Sequence, residues 1–259
     1  MSSTPADRGP ARATIRVSLA GLAGTLLVLV VAVVCVRLGL WQLDRLEQRR
    51  ARNSVIARQI SAPPLELRAA PPDTAGLIFR RVRLTGEPDR SRTVAIAGRS
   101  FGGSPGIHVL TPYRLGAGGV LVNRGWVPAV DPAAVDLDRF RVASPHTVTG
   151  IVLPLNARGA ARPDTATAAR VWYGYDAAIA ARLPYRAPPL YVQELGPQTR
   201  GARLGYPRPL PLPDLTEGPH LGYAIQWFSF AVIALVGWSI LAIRGSAAQR
   251  NERGAAMRK

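Results

Sequence analysis

Two stretches of this chain carry no charge at all, residues 17–36 and residues 221–243, and they limit its fold more than any other feature. At ~1.5 Å per residue a helix of 20 positions crosses the ~30 Å hydrocarbon layer of a bilayer. One charge at the bilayer centre costs roughly 2.5 to 3.5 kcal/mol. Uninterrupted runs closed by Arg37 and Arg244 therefore predict two transmembrane helices, 17–36 and 221–243. The first run exceeds the ~7 to 15 apolar residues of a cleaved signal sequence, and no small-x-small cleavage pattern follows Cys35. Bulky Val34 argues against a lipidated Cys35 in the same way. The expectation is a retained anchor.

Orientation follows from the short flanks. The head, 1–16, carries Arg8, Arg12 and Arg16 against Asp7, and the tail, 244–259, carries Arg244, Arg250, Arg253, Arg258 and Lys259 against Glu252. Basic flanks stay on the cytoplasmic side, so both termini are expected there and residues 37–220 outside. Arg37, Arg45, Arg49, Arg50 and Arg52 crowd the far side of the first span, which a long translocated segment tolerates.

The net charge of +17 invites a nucleic-acid reading, which the composition excludes. With 47% hydrophobic residues the chain is too apolar for a disordered polycation, and every basic residue except Lys259 is arginine, a compositional bias rather than a basic patch. One cysteine allows no intramolecular disulfide and no all-cysteine metal cage. His108, His146 and His220 leave little material for a metal centre.

Beyond the first span, helical periodicity continues over 39–60, with Leu40, Leu43 and Leu46 three apart, and should stop before Pro63-Pro64. Trp41 then falls near the headgroup zone. From residue 79 to 195 the pattern becomes a β-rich core. Segments 80–87 and 92–98 alternate and read as a hairpin, and 106–115 with 119–126 as a second one joined at Gly116-Ala117-Gly118. Residues 146–153 and 189–195 are further strands, and 176–183 a short helix with Asp176 as N-cap. Segments 157–170 and 196–219 read as loops. The fold class expected is a membrane protein with two transmembrane α-helices flanking a mainly antiparallel β (α+β) extracytoplasmic domain.

Catalytic motifs are few. Gly102-Gly103-Ser104-Pro105-Gly106 matches the G-x-S-x-G elbow of serine hydrolases, but Pro105 lacks the N–H that the oxyanion hole needs and no helical pattern follows Ser104. No phosphate loop, no C-x-x-C-H and no H-E-x-x-H is present, so the chain is not expected to be an enzyme. His220 opens the second apolar run, and at ~100° per residue Tyr223, Ala224 and Trp227 share its stripe. Two readings fit those residues: an imidazole ligand to haem iron with flat rings beside it, or the aromatic decoration common at bilayer edges.

Taken together, LGLWQLDR after the first span, FRRVRLTGE, VLVNRGWVP, PLYVQ and HLGYAIQWFSFA at the second span resemble the surfeit locus protein 1 family of cytochrome c oxidase biogenesis factors. The match runs from residue 39 to about 243, with no family motif in 127–170. The resemblance implies a two-pass membrane protein that assists assembly of the haem a centres of cytochrome c oxidase. It implies haem a as a transient cofactor, the oxidase subunits as partners, the haem-bearing one first, and the lipid bilayer as surroundings, with no nucleic acid. The family's histidine falls on His220, which the resemblance makes the haem ligand with Tyr223 and Trp227 beside it. Its Trp-Gln and Gly-Trp pairs fall on Trp41, Gln42, Gly125 and Trp126, expected to make fold or partner contacts. The arginine-rich composition and short head suit a bacterial plasma membrane rather than an organelle precursor. A haem-free scaffold for oxidase subunits and a hydrolase using Ser104 are the alternatives.

Overall fold

The computed structural model describes residues 19–156, 170–196 and 205–256. The expected head, 1–16, and nearly all of the 157–170 loop lie outside the described residues. In chain order the elements are α1 (Leu19–Ser61), β1 (Leu65–Leu67), β2 (Arg81–Pro88), β3 (Val94–Phe101), β4 (Ser104–Leu115) and β5 (Gly118–Pro128). They continue with β6 (His146–Pro154), β7 (Val171–Trp172), α2 (Ala177–Ala181), β8 (Leu190–Glu194) and α3 (His220–Ala256). The chain forms two compact units, one of residues up to Ala51 with those from Thr216 onward, the other Arg52–Leu215.

The first unit is an antiparallel helix pair. α1 runs unbroken through the apolar run and the amphipathic segment after it, and ends two residues short of Pro63. Small residues line its seam with α3. Ala32 and Cys35 bury against Ala231, with Trp227 packed beside them. A side chain at Gly24 would place its Cβ 2.2 Å from the Trp238 ring, and one at Gly39 would stand 2.6 Å from Phe228. Helices in lipid associate by this kind of close packing, since the tails are as apolar as leucine. Elsewhere the pair is bare: only 11% of each apolar window is buried, and Leu26, Val33, Ile233 and Leu241 are all more than 60% exposed. Both helices are long and apolar enough to cross a membrane. An apolar surface of that extent, uncovered by protein, fits a membrane protein.

The second unit is a small β-barrel. β2, β6, β8, β5 and β4 pair in that order, and Glu87↔Arg114 and Pro88↔Tyr113 close β2 onto β4. β1 adds to the β2 edge, β3 to β4, and β7 to β3. Pairing among the described strands is mainly antiparallel, with β1–β2, β3–β7 and β5–β8 parallel. Alternation sends Val82, Leu84, Val120, Val122, Val148, Val152, Leu190 and Val192 inward, with Tyr113 and Leu115. The opposite face carries Val94, Ile96, Leu110 and Leu121 under Trp172 and α2, whose Asp176 caps it by accepting from the Ala178 N–H at 2.8 Å.

The second expected hairpin is present, turning at Gly116 with φ 59°. The first is not. β2 pairs with β6, from Arg81↔Ile151 to Gly86↔His146, and β3 pairs with β4, so 80–87 and 92–98 never face each other. The cause is the length of β4, which serves both neighbours: Ser104–Leu110 lie along β3 while Tyr113 and Arg114 pair with β2. The extra residue at each register shift falls on β3, between Ile96 and Arg99, and on β5, between Asn123 and Trp126. Alternation marks the inward face of a strand but does not name its neighbour.

Candidate functional site

At the start of α3, Gly218 takes φ 74° and Pro219 follows, its carbonyl accepting from the Tyr223 N–H at 3.1 Å. The approach is fastened to α1. Arg49 Nε donates to the Thr216 carbonyl at 3.2 Å, and the Arg50 fork grips both oxygens of Glu217 at 2.8 Å. That fork holds the Glu217 carboxyl below the usual carboxylate range, chiefly by its hydrogen bonds. His220 therefore enters the seam at a fixed height, half-buried, with Nδ1 2.9 Å from Gln42 Oε1.

An amide oxygen only accepts, so the proton of a neutral His220 ring sits on Nδ1 and the lone pair on Nε2. Among the described residues Nε2 has no hydrogen-bond partner. Beside it lies Gly218, where a side chain would bring its Cβ to 3.6 Å from Nε2. Three or more His, Cys, Asp or Glu side chains do not gather anywhere among the described residues, so a multi-ligand metal cage is not formed there. An imidazole nitrogen without a hydrogen-bond partner, its ring held from behind by an acceptor, could serve as a single ligand to the iron of a haem.

The other expected site residues are distributed unevenly. Gln42 meets His220 directly. Ala224 is 1% exposed and Trp227 packs on the same seam two turns from His220, edge-on to Phe230 at 5.9 Å. Tyr223 does not join them: it is 48% exposed, on the flank of the stripe. Trp41 also faces outward, with Arg45 over its ring at 5.4 Å.

Gly125 and Trp126 lie in the barrel unit, where they hold down the returning segment 205–211. The Trp126 backbone N–H donates to the Arg208 carbonyl at 2.8 Å, and the Trp126 carbonyl accepts from the Arg208 backbone N–H at 2.7 Å. Gly125, at φ 125°, lets that backbone pass, for its Cβ would lie 2.2 Å from the Arg208 oxygen. Phe101 and Tyr206 flank the indole at 5.7 and 6.1 Å. Gln193 donates to the Pro211 carbonyl at 2.8 Å and secures the far end.

Ser104 sits at the β3–β4 turn, after Gly102 and Gly103 at φ 57° and 81°. A strand follows it, so the strand–turn–helix geometry of a nucleophile elbow is missing.

The barrel also holds polar groups that the sequence reading placed only as strand residues or passed over. The Tyr175 hydroxyl accepts from Asn123 Nδ2 at 2.7 Å and meets His108 Nδ1 at 2.5 Å, while its ring stacks on Tyr191 at 4.3 Å. Burial, helped by Arg99, pushes the His108 imidazole down to about 4, so it meets the hydroxyl as a neutral ring. Burial likewise lifts the Glu194 carboxyl to about 7 against the pull of Arg124. The readable signal was Asn123 inside the apolar run VLVN, since a polar residue on a buried strand needs a partner.

Fold and site together define a class: a β-barrel domain carried between two apolar helices, with a single presented imidazole where the second helix begins. The chain belongs to the SURF1 family, whose model matches residues 29–232. It is 28% identical over 227 residues to a SURF1-like protein of Monosiga brevicollis, covering 83% of this chain and 86% of that one. It is 24% identical to surfeit locus protein 1 of Mus musculus over 217 residues, 78% of this chain and 70% of the other. A bacterial SURF1-like protein, from Rickettsia prowazekii, is 24% identical over 214 residues, 81% and 86% of the two chains.

Proposed function

We propose that this chain is an assembly factor for cytochrome c oxidase, not an enzyme, which shelters haem a on its way into the haem-bearing subunit. One observation carries the reading: half-buried His220 is held through Nδ1 by Gln42 at the start of the second helix, and its Nε2 has no hydrogen-bond partner among the described residues. Membership of the SURF1 family supports the oxidase as client. In this reading the two helices cross a bacterial plasma membrane with both termini cytoplasmic, and the barrel lies outside. Haem a, when bound, supplies the redox iron that the oxidase will use; the chain supplies its holding. His220 gives one nitrogen, Gln42 orients it, Trp227 packs the seam below, and lipid against the bare helix faces keeps water away. One neutral imidazole without a thioether link suits a carrier that must release its cargo.

Purification from cells that make haem a tests this. The detergent-solubilised protein is expected to carry haem a, seen in its absorption spectrum, and His220→Ala to lose it. Haem a retained unchanged in His220→Ala overturns the ligand role. Protein that crosslinks to oxidase subunits but never carries haem supports the haem-free scaffold instead.

A further inference from the structure

We infer that Gln42 is the positioning residue of the site, dictating which nitrogen of His220 is free to bind iron; this rests on the haem reading above. In free histidine the neutral ring keeps its proton mainly on Nε2, the nitrogen that here must be bare. The Gln42 oxygen, 2.9 Å from Nδ1, rewards the opposite tautomer. A net hydrogen bond of ~0.5 to 1.5 kcal/mol shifts that balance by roughly two- to tenfold. The shift works only if the amide stays in place, and the seam sees to that. One turn before Gln42, Gly39 admits the Phe228 ring so closely that any side chain there would clash, and one turn after it Leu46 is 4% exposed. On the other helix Ala224, one turn past His220, is 1% exposed. Both backbones are thus locked on either side of the Gln42–His220 pair, so neither partner can drift away as a surface pair would.

The partner's identity matters as much as its place. A group that donated to Nδ1 would drive the proton to Nε2 and block the iron. Glutamine can accept through Oε1, and glutamate can only accept, whereas leucine of similar size does neither. Gln42→Glu should therefore preserve the site and Gln42→Leu should spoil it without opening a hole. Loss of such an outer partner commonly weakens metal binding by about 10- to 100-fold.

The experiment is nitrogen NMR of the full-length apo protein in detergent, labelled at histidine, with the His220 signal assigned by its absence in His220→Ala. It is followed by titration of each variant with haem a. Wild type and Gln42→Glu are expected to show the proton on Nδ1 and to bind haem a alike; Gln42→Leu to show it on Nε2 and to bind about 10- to 100-fold more weakly. The His108 and His146 signals, which report the barrel, should be the same in all variants and certify that each has folded. A wild-type tautomer in Gln42→Leu overturns the inference, as does a changed tautomer with undiminished affinity. If His220→Ala binds haem a normally, the ligand reading fails while the tautomer result still judges what Gln42 does to the ring.

Discussion

Replacing Gly125 with alanine should detach the segment that crosses it, and the cost can be worked from the backbone. The residue sits at φ 125°, where an L side chain is strained by ~1 to 3 kcal/mol. Its Cβ would also lie 2.2 Å from the Arg208 oxygen, 2.5 Å from that carbonyl carbon and 3.0 Å from Pro209 N. All three are backbone atoms, so no rotamer change relieves the clash and the 205–211 segment must lift. Lifting breaks two backbone hydrogen bonds to Trp126, worth ~0.5 to 1.5 kcal/mol each, and exposes an indole that is now 4% exposed. The total is about 2 to 6 kcal/mol, a large share of the ~5 to 15 kcal/mol that holds a typical protein folded. Gly116→Ala is the control: its φ is 59° and nothing lies within 4 Å of its Cβ, so it suffers strain without a clash. Urea unfolding in detergent, followed by tryptophan emission, should show Gly125→Ala less stable than Gly116→Ala by at least about 1 kcal/mol, with red-shifted native emission. Equal stability of the two variants, with unshifted emission, would refute the reasoning.

Acidification should act on the barrel through two opposed groups. Between pH 6.5 and about 4 the unfolded chain takes a proton that buried His108 refuses, so stability falls as pH drops; between about pH 7 and 4.5 folded Glu194 keeps a proton that the unfolded chain has released, so stability rises. Each is worth up to about 3 kcal/mol, and they offset each other in the native chain. Glu194→Gln removes one of them: it should be the more stable protein above pH 7 and should lose stability steeply from pH 6.5 to 4, and parallel unfolding profiles for the two proteins would contradict this. Tyr175→Phe keeps the stack on Tyr191 but strips a partner from His108 and from Asn123, which is 0% exposed; a loss of ~1 to 3 kcal/mol in urea unfolding is expected, and none would mean the network is slack.

The helices were legible because their signal is local. A charge-free run needs no partner to be recognised, the end of α1 is announced by Pro63-Pro64, and the short helix by its cap Asp176. His220 and Gln42 could each be singled out, one by its place at the edge of an apolar run and both by family resemblance. Their contact could not, because 178 positions separate them and only the antiparallel seam brings them together. Gly125 was legible as part of a motif; that it makes room for the Arg208 backbone was not.

What the residues alone settle is therefore whatever a period or a run can encode: two bilayer-length helices, an alternating β region between them, and which face of each strand is apolar. Which strand lies beside which was decided in three dimensions, where β4 pairs with β3 along its first half and with β2 near its end and so closes the ring. The same holds for the orientation of the imidazole. Periodicity depends on neighbours along the chain, whereas strand partners and a histidine tautomer depend on groups that meet only after folding.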